Sequence, residues 1–352
     1  MKKVRIGRIG TGGIARGRHI TELMKCEDAE IVAICDIDPT ALDAAKEQLG
    51  KDNVKCYSSY VDLIGDPEVD AVEVCTPNDL HAEIAIAALE AGKPVNLEKP
   101  IAMSYAEAMT ILEAEKNSDT FGMTCFTYRF MPAVRYALHL MKDGVLGDIL
   151  GLNVTYAKNS ALWEGRRLEW RFIKSRAASG VTGDLGVHLV DLAQMLAGEI
   201  TELCAMTDIV VKERTTLDGS STAPVETDDT CLFLARFSCG AMGTFHITRA
   251  AIGHANTIRY DVYGTRGSLS FELAKPVPDT VILTVGEGDP KDFTPTVLKV
   301  PEEFYLSQAQ CFVNAVNGKR DTIFPTLESG AQGQKVIDAI IESSENHSWV
   351  KV

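Results

Sequence analysis

Short apolar runs alternate with longer segments of helical periodicity along the first third of the chain. The apolar runs are expected to be strands: Val4–Ile9, Ile31–Cys35, Val54–Tyr57, Ala71–Cys75, Val95–Leu97 and Phe121–Cys125. The segments between them repeat apolar residues every three or four positions, as helices do: Ile14–Met24, Pro39–Leu49, Leu80–Ala91 and Ser104–Asn117. Regular alternation of strand and helix predicts parallel strands joined by right-handed crossovers, and hence a doubly wound open sheet of the Rossmann type.

The pattern changes after residue 125. A helix is expected over Ala133–Lys142, a strand over Ile149–Tyr156, and a second helix over Asp184–Leu196. Strand-like runs without helices between them then follow: Leu203–Val211, Thr230–Phe237, Ala241–Thr248, Ile258–Tyr263, Gly267–Phe271 and Val281–Val285. Two helical segments, Tyr305–Val316 and Leu327–Ser343, close the chain. This half predicts an α/β domain with a large, mainly antiparallel open sheet. We therefore expect two domains, 1–125 and 126–352.

A glycine-rich turn follows the first strand directly. Gly10, Gly12 and Ala15 occupy the G-x-G-x-x-A positions, with Gly13 and Ile14 between them at the start of the expected helix. The first glycine permits a tight turn, the second lets the backbone approach a pyrophosphate, and the small third residue lets the helix pack on the strand. The turn predicts a dinucleotide site, although a glycine-rich turn without a ligand is the alternative.

An acidic residue stands where a dinucleotide-binding domain holds the adenosine ribose. Asp36 ends the second strand, 21 residues after Ala15. Its carboxylate would repel the 2′-phosphate of NADP, and Ile37 offers no positive charge in compensation. We therefore expect NAD in preference to NADP. A helix cap ahead of Pro39 is the alternative role for Asp36.

Two further segments follow strands on the same edge of the expected sheet. Thr76-Pro77-Asn78 comes after the fourth strand, and Glu98-Lys99-Pro100 after the fifth. Charged groups beside a buried strand are costly unless they are paired or functional. Ligands of such sheets bind at this edge, so both segments are candidates for the cofactor site. A plain surface lysine remains the alternative for Lys99.

The charge balance narrows the range of partners. The chain has 35 Lys and Arg against 49 Asp and Glu, a net charge of −14. Such a protein repels nucleic acid and anionic membranes, so a small-molecule substrate is expected. No apolar run reaches the roughly 20 residues of a membrane span, and no signal peptide is indicated. The nine cysteines form no C-x-x-C pair and the seven histidines are dispersed, which predicts a cytoplasmic protein without a metal site.

Five motifs in order resemble the glucose–fructose oxidoreductase, inositol dehydrogenase and rhizopine-catabolism (Gfo/Idh/MocA) oxidoreductases. They are Gly10–Ala15, Thr76–Asn78 with His81, Glu98–Pro100, Tyr128–Phe130, and Gly183–His188 followed by Asp191. The resemblance covers essentially the whole chain. It implies a Rossmann domain, a C-terminal α/β domain carrying the substrate site and commonly the oligomer interface, and a homodimer or homotetramer. It also implies catalytic roles for Lys99, Asp184 and His188 and a cis peptide bond before Pro100.

The resemblance extends the expected cofactor site beyond the glycine turn. The full set is Gly10, Gly12, Gly13, Ile14, Ala15, Asp36, Thr76, Pro77, Asn78, His81, Glu98 and Lys99. For His81 a structural role is the alternative, and His19 is expected to be structural.

The residues themselves suit these roles. Asp184, His188 and Asp191 are spaced to share one helix face, so a carboxylate can orient the imidazole. Histidine titrates near neutrality and suits proton removal from an alcohol, while the Lys99 ammonium would stabilise the developing alkoxide. A buried structural histidine is the alternative for His188, and structural support is the alternative for Asp191. The sequence before the motif is Ser179-Gly180-Val181-Thr182-Gly183, where the family usually has consecutive glycines, so a differently shaped loop is expected.

A polar, aromatic stretch precedes the motif helix and suits a polyhydroxylated ring. The expected substrate contacts are Tyr128, Trp163, Arg171, Asp184 and His188. A sugar, glycoside or inositol is the leading substrate class, and a loop with only a tethering role is the alternative. A redox-neutral enzyme that retains NAD and oxidises a sugar transiently also stays open, as does a non-catalytic NAD sensor. Release of NADH would distinguish the dehydrogenase.

Overall fold

The computed structural model describes residues 3–273 and 279–352. They divide into two compact units, which are described separately. Unit 1 runs to Phe126 and also includes Leu306–Gln332. Unit 2 comprises Thr127–Tyr305 and Gly333–Val352.

Unit 1 is built on a six-stranded sheet with the order β3-β2-β1-β4-β5-β6. The strands are β1 Val4–Ile9, β2 Ala29–Cys35, β3 Lys55–Tyr57, β4 Ala71–Val74, β5 Val95–Leu97 and β6 Gly122–Thr124. Every pair is parallel, which confirms the predicted Rossmann sheet. The strand order reverses between β1 and β4, and a ligand crevice is expected at that point.

The helices of unit 1 follow the predicted alternation. They are a π-helical stretch Ala15–Ile20, α1 Thr21–Leu23, α2 Pro39–Leu49, α3 Tyr60–Gly65, a 3₁₀ turn Asn78–Leu80, α4 His81–Glu90, α5 Tyr105–Lys116 and α9 Gln308–Val316. Asp38 and Ser104 cap α2 and α5 by accepting hydrogen bonds from the backbone N–H groups of Thr40 and Glu107. The six-residue α3 was not predicted, because so short a helix shows too little periodicity.

The segment Leu306–Gln332 completes the far edge of this sheet. Thr326 pairs with Met123 of β6, and the Pro325 carbonyl accepts a hydrogen bond from the Thr124 N–H at 2.8 Å. Leu327 is fully buried in the core of the unit. Gly122 makes room for it, since a Cβ there would lie 2.2 Å from the Leu327 Cδ1. A segment far away in the chain therefore closes β6.

Unit 2 is built on a nine-stranded sheet with the order β16-β15-β14-β13-β7-β12-β11-β8-β17. The strands are β7 Ile149–Ala157, β8 Ile200–Asp208, β11 Thr230–Phe237, β12 Met242–Thr248, β13 Thr257–Gly264, β14 Gly267–Glu272, β15 Thr280–Val285, β16 Thr296–Lys299 and β17 Val350–Lys351. Only β7 and β12 pair in parallel among these, so the mainly antiparallel prediction is confirmed within the described residues. A separate hairpin joins β9 Glu213–Thr215 to β10 Thr222–Pro224.

One face of this sheet is buried under helices. The helices of unit 2 are α6 Pro132–Lys142, α7 Lys174–Ala177, a π-helical stretch Thr182–Gly186, α8 Val187–Ala197 and most of α10 Leu327–Asn346, with 3₁₀ turns Thr127–Phe130, Ser160–Leu162, Trp170–Phe172, Pro290–Asp292 and Glu302–Phe304. The Tyr260 hydroxyl donates to the Leu189 carbonyl at 3.0 Å, which ties β13 to α8. Along β11, Phe233 is buried while Leu232 and Leu234 are exposed, as alternation across a half-covered sheet requires.

Candidate functional site

The glycine turn after β1 has the geometry that the sequence predicted. Gly10 has φ +84°, and a Cβ there would lie 2.4 Å from the Cys75 carbonyl oxygen. Any other residue would therefore be strained twice, by its backbone angle and by contact with the strand next to it. Gly10 is fixed by the fold of unit 1.

Gly12 and Gly13 differ from Gly10, because a Cβ on either would meet nothing within 4 Å. The protein's own packing does not require them to be small. The open space lies at the start of a helix, whose first N–H groups have no partner within the helix and attract anions. Ala15 is fully buried, and Ile14 is 51% exposed. These observations fit a dinucleotide pyrophosphate.

Asp36 is held against the same turn. Its Oδ2 accepts hydrogen bonds from the Thr11 N–H (2.7 Å) and the Thr11 hydroxyl (3.0 Å), and its Oδ1 accepts one from the Asp38 N–H (3.0 Å). Asp38, rather than Asp36, caps α2. Asp36 is therefore not a helix cap, and Oδ1 keeps a lone pair for a ribose hydroxyl. Ile37 beside it is 88% exposed.

His81 joins the two segments at the ends of β4 and β5. Its Nδ1 lies 2.7 Å from the Pro100 carbonyl oxygen and its Nε2 lies 3.0 Å from the Thr76 carbonyl oxygen. Burial lowers the pKa of His81, and the Pro100 carbonyl and the Glu98 charge oppose that shift. The Thr76-Pro77-Asn78 and Glu98-Lys99-Pro100 segments are thus brought together, as predicted for one edge of the sheet.

Glu98 anchors the lysine that follows it. The Glu98 carboxylate is buried, and its Oε1 lies 2.7 Å from the His19 Nε2. Its Oε2 accepts a hydrogen bond from the backbone N–H of Lys99 at 3.1 Å. The Lys99–Pro100 peptide bond is cis, as the resemblance implied. For His19 only a structural role was expected, and its pairing with Glu98 was not predicted. His19 follows Ala15 by four residues on one helix, so the two side chains share a face; this spacing was the available indication that His19 lies near the glycine turn.

A buried polar ladder crosses the sheet next to these segments. Arg8 forms an ion pair with Glu73 (2.5 Å), Asn96 donates to Glu73 (2.7 Å), and the Cys125 thiol donates to Asn96 (3.1 Å). All four side chains are buried, and burial raises the pKa of Cys125 well above its usual range. The residues come from β1, β4, β5 and the end of β6, so only the strand order brings them together.

In unit 2, Asp184 and His188 lie on consecutive turns. Asp184 belongs to the π-helical stretch and His188 to the first turn of α8. Short π-helical insertions are frequent at functional sites. His188 is 6% exposed, and its ring centroid lies 4.7 Å from that of Tyr128 in an edge-to-face contact. The helix predicted over Asp184–Leu196 therefore begins earlier, and with a wider turn than expected.

The loop before this helix is fixed by Asp228. Its carboxylate accepts hydrogen bonds from the Gly180 N–H (2.6 Å), the Thr182 N–H (2.8 Å) and the Thr182 hydroxyl (2.7 Å). Val181 is buried with φ −63°, so the β-branched residues here need no left-handed backbone. Gly180 must be small, because a Cβ there would lie 1.8 Å from the Asp228 carbonyl oxygen.

Asp191 is paired with Arg129. The guanidinium donates to both carboxylate oxygens of Asp191, through Nε at 2.8 Å and through Nη2. Both side chains are buried. Burial raises the pKa of Asp191, and the Arg129 charge opposes that rise. The pair ties the 3₁₀ turn Thr127–Phe130 to α8.

The aromatic stretch before the motif helix is held by stacked arginines. Trp163 is 57% exposed, and its indole N–H donates to Asn159 at 2.9 Å. The Arg171 guanidinium lies 4.3 Å from the Trp170 ring, and that of Arg214 lies 4.3 Å from the buried Phe172 ring. Arg214 also donates to the Ala161 carbonyl at 2.7 Å. The stretch is therefore an ordered loop with one exposed indole.

Across residues 3–273 and 279–352, no helix has the length and hydropathy to cross a membrane.

Two family models match this chain. Residues 4–124 match the oxidoreductase family with an NAD-binding Rossmann fold, and residues 134–270 match the GFO/IDH/MocA C-terminal domain. Levoglucosan dehydrogenase of Pseudarthrobacter phenanthrenivorans is 32% identical over 91% of this chain and 88% of its own length. Myo-inositol 2-dehydrogenase of Thermotoga maritima is 28% identical over 95% of this chain and 93% of its own length.

Solved structures give the same result. Levoglucosan dehydrogenase in complex with NADH and levoglucosan superposes with a TM-score of 0.89 at 29% identity, and each chain is covered completely. An oxidoreductase domain protein from Kribbella flavida superposes with a TM-score of 0.88 at 31% identity, again over the whole of both chains.

Proposed function

The chain belongs to the GFO/IDH/MocA family of NAD-binding oxidoreductases acting on CH–OH groups, and we propose that it oxidises a secondary alcohol of a sugar, glycoside or inositol. The observation that carries this proposal is the open space at Gly12 and Gly13 beside the fixed carboxylate of Asp36, together with the relatives above. The Trp163–Arg171 stretch supports a polyhydroxylated substrate, since it combines aromatic faces with hydrogen-bonding groups.

The proposed cofactor contacts divide into three groups within unit 1. The N–H groups around Gly12, Gly13 and Ile14 would hold the pyrophosphate, with Gly10 shaping the turn and Ala15 the packing behind it. The free lone pair of the Asp36 Oδ1 would accept a ribose hydroxyl and repel a 2′-phosphate. The nicotinamide half would meet the strand-end segments at Thr76, Pro77, Asn78, His81, Glu98 and Lys99. Bound NAD supplies the hydride acceptor.

The chain's own groups would handle the proton and the developing charge. His188 would act as the general base that takes the proton from the alcohol, oriented by Asp184. The Lys99 ammonium would stabilise the alkoxide as it forms. Tyr128, Trp163 and Arg171 would contact the substrate. Asp191 would serve as a support, since Arg129 occupies both of its oxygens.

A panel of inositols, aldoses and glycosides incubated with NAD tests the reaction, with NADH and product both measured. We expect NADH to accumulate in step with product. Product without net NADH would instead indicate a redox-neutral enzyme that recycles the bound cofactor.

Lys99→Ala and His188→Ala test the catalytic roles. Loss of the base should lower kcat by about 10²–10⁴-fold. NAD affinity, followed by fluorescence titration, should survive in His188→Ala. Turnover at the wild-type rate by His188→Ala would overturn its assignment as the base.

We also propose that the exposed face of the nine-stranded sheet pairs with a second copy of the chain in a homodimer or homotetramer. Met206 and Leu232 are neighbours across β8 and β11, and both are exposed, as are Leu234 and Met242. Apolar side chains grouped on one sheet face are typical of protein interfaces. Leu232→Glu should lower the mass measured by light scattering, from dimer to monomer or from tetramer to dimer. Leu217→Glu, in the exposed loop of the β9–β10 hairpin, is the control, and an equal effect of both variants would refute the interface.

We further propose that the protein acts in the cytoplasm. All nine cysteines lie in the described residues and are thiols, which suits a reducing compartment. Cell fractionation with an antibody to the native protein tests this, and recovery outside the cytoplasm would refute it.

A further inference from the structure

Three polar side chains of unit 2 form a hydrogen-bonded chain beside the proposed base. The Tyr128 and Tyr156 hydroxyl oxygens lie 2.7 Å apart, and the Tyr156 hydroxyl donates to the Asn256 Oδ1 at 2.9 Å. Tyr156 is 2% exposed, whereas Tyr128 is half-buried. Tyr156 comes from β7, and Asn256 from the loop that enters β13. We call these three residues the tyrosine relay.

The number of protons on these groups fixes the direction of hydrogen-bond donation along the relay. A tyrosine hydroxyl has one proton, and an amide oxygen has none to donate. The Tyr156 proton is directed to Asn256, so the hydrogen bond between the two tyrosines must use the proton of Tyr128. The Tyr128 oxygen is thereby left to act as an acceptor. It can bind a group that donates a hydrogen bond, and its own proton is not available to bind an acceptor.

The relay also fixes where this acceptor lies. The Tyr128 ring meets the His188 ring edge to face at 4.7 Å, and it meets the Tyr156 ring edge to face at 6.0 Å. Packing on two sides and the hydrogen bond to Tyr156 restrict both torsions of the Tyr128 side chain. The fixed acceptor is therefore carried by the ring that packs against His188.

We propose, building on the proposed function, that the tyrosine relay selects substrates with a hydroxyl on the carbon next to the one oxidised. His188 takes the proton of the reacting hydroxyl, and the Tyr128 oxygen accepts a hydrogen bond from its neighbour. A substrate without that donor would leave the Tyr128 acceptor unsatisfied once water is displaced, and such groups are costly to bury. Tyr156 and Asn256 are positioning residues, because they touch Tyr128 rather than the substrate. The substrate class is a vicinal diol.

The test compares the best polyol from the panel with two analogues altered at the neighbouring carbon. The deoxy analogue lacks the hydroxyl, and the deoxyfluoro analogue replaces it with a group of similar size that cannot donate. The wild type should prefer the polyol over both analogues by about 10- to 100-fold in kcat/KM, the range expected for one unsatisfied buried acceptor. Tyr128→Phe should bring both ratios close to one.

Variants of the other two residues test the direction of the relay. In Tyr156→Phe the Tyr128 proton loses its acceptor and becomes available to the substrate. The kcat/KM of the deoxyfluoro analogue should therefore rise relative to that of the deoxy analogue, because fluorine can accept a hydrogen bond. Asn256→Asp retains an acceptor and should keep the wild-type ratios, whereas Asn256→Leu should change them as Tyr156→Phe does. Tyr305→Phe is the matched control, since the hydroxyl of the exposed Tyr305 is also hydrogen-bonded, donating to Asp279 at 2.7 Å.

The outcomes separate this inference from the proposed function. Wild-type turnover of the polyol with unchanged analogue ratios in Tyr128→Phe and Tyr156→Phe would overturn the relay and leave the proposed function standing. Failure of the wild type to reduce NAD with any polyol would overturn both. Analogue ratios that change in the relay variants but not in Tyr305→Phe support the relay.

Discussion

The buried ion pair between Arg129 and Asp191 gives the clearest stability prediction. Asp191→Asn removes the negative charge and places an amide N–H₂ against the guanidinium. Arg129 and Asp191 are only 7% and 3% exposed, so the buried Arg129 charge would lose the carboxylate that accepts two of its hydrogen bonds. Removing one partner of such a pair costs about 3–5 kcal/mol, because water cannot replace it.

A surface pair in the same unit is the matched control. Arg236 and Glu202 lie 2.8 Å apart but are 54% and 36% exposed. Exposed pairs contribute about 0.2–1 kcal/mol, so Glu202→Gln should have little effect. The contrast between the two variants isolates burial, since both remove a carboxylate that faces an arginine.

Tryptophan fluorescence during urea unfolding can measure both variants. The chain has three tryptophans, Trp163, Trp170 and Trp349, and all belong to unit 2. The signal therefore reports the unit that contains both ion pairs. If the free energy of unfolding falls no more in Asp191→Asn than in Glu202→Gln, the reasoning is refuted. Unchanged stability with a large loss of kcat would instead assign Asp191 to the chemistry.

The remaining predictions concern the cofactor turn. Gly12→Ala should leave stability unchanged, because its Cβ has open space, but should weaken NAD binding at least tenfold in a fluorescence titration; Gly17→Ala, equally open, should leave both unchanged. Gly10→Ala should lower the free energy of unfolding by more than about 1 kcal/mol, because alanine resists a positive φ, and a fully stable variant would contradict this. Asp36→Asn should reduce the preference for NAD over NADP in kcat/KM, whereas Thr11→Val, which removes one hydrogen bond to Asp36, should largely preserve it; a wild type that prefers NADP would refute the role of Asp36.

The sequence predicted those features that depend on neighbouring residues. Alternating runs indicated the six parallel strands, and the G-x-G-x-x-A spacing located a turn whose Gly10 indeed has a positive φ. The short strands β9, β16 and β17 of unit 2 were not predicted, because they show no alternation and lie outside the regular strand–helix pattern that located the equally short strands of unit 1. Helix α9 begins at Gln308 rather than Tyr305, since Ser307 provides the N-terminal cap.

Features that depend on contacts between distant segments could not be predicted from the sequence. The Arg8–Glu73 pair needs the register of β1 on β4, and the partner of His19 lies 79 positions along the chain. The Val181-Thr182 departure suggested a differently shaped loop. The helical backbone of this loop depends on Asp228, at the entrance to β11, which accepts a hydrogen bond from the Thr182 N–H. Likewise, periodicity showed a helix near Leu327 but not the sheet that it joins.

The packing of Leu327 against Gly122 has a consequence for dissecting the molecule. A fragment cut after Phe126 would lack the residues that cover β6, and it would expose both the cleft beside Gly122 and the backbone N–H of Thr124. An unpaired strand edge of this kind invites aggregation. A self-contained cofactor module would instead need a linker from Phe126 to Leu306, so that one engineered chain carries both pieces of the unit.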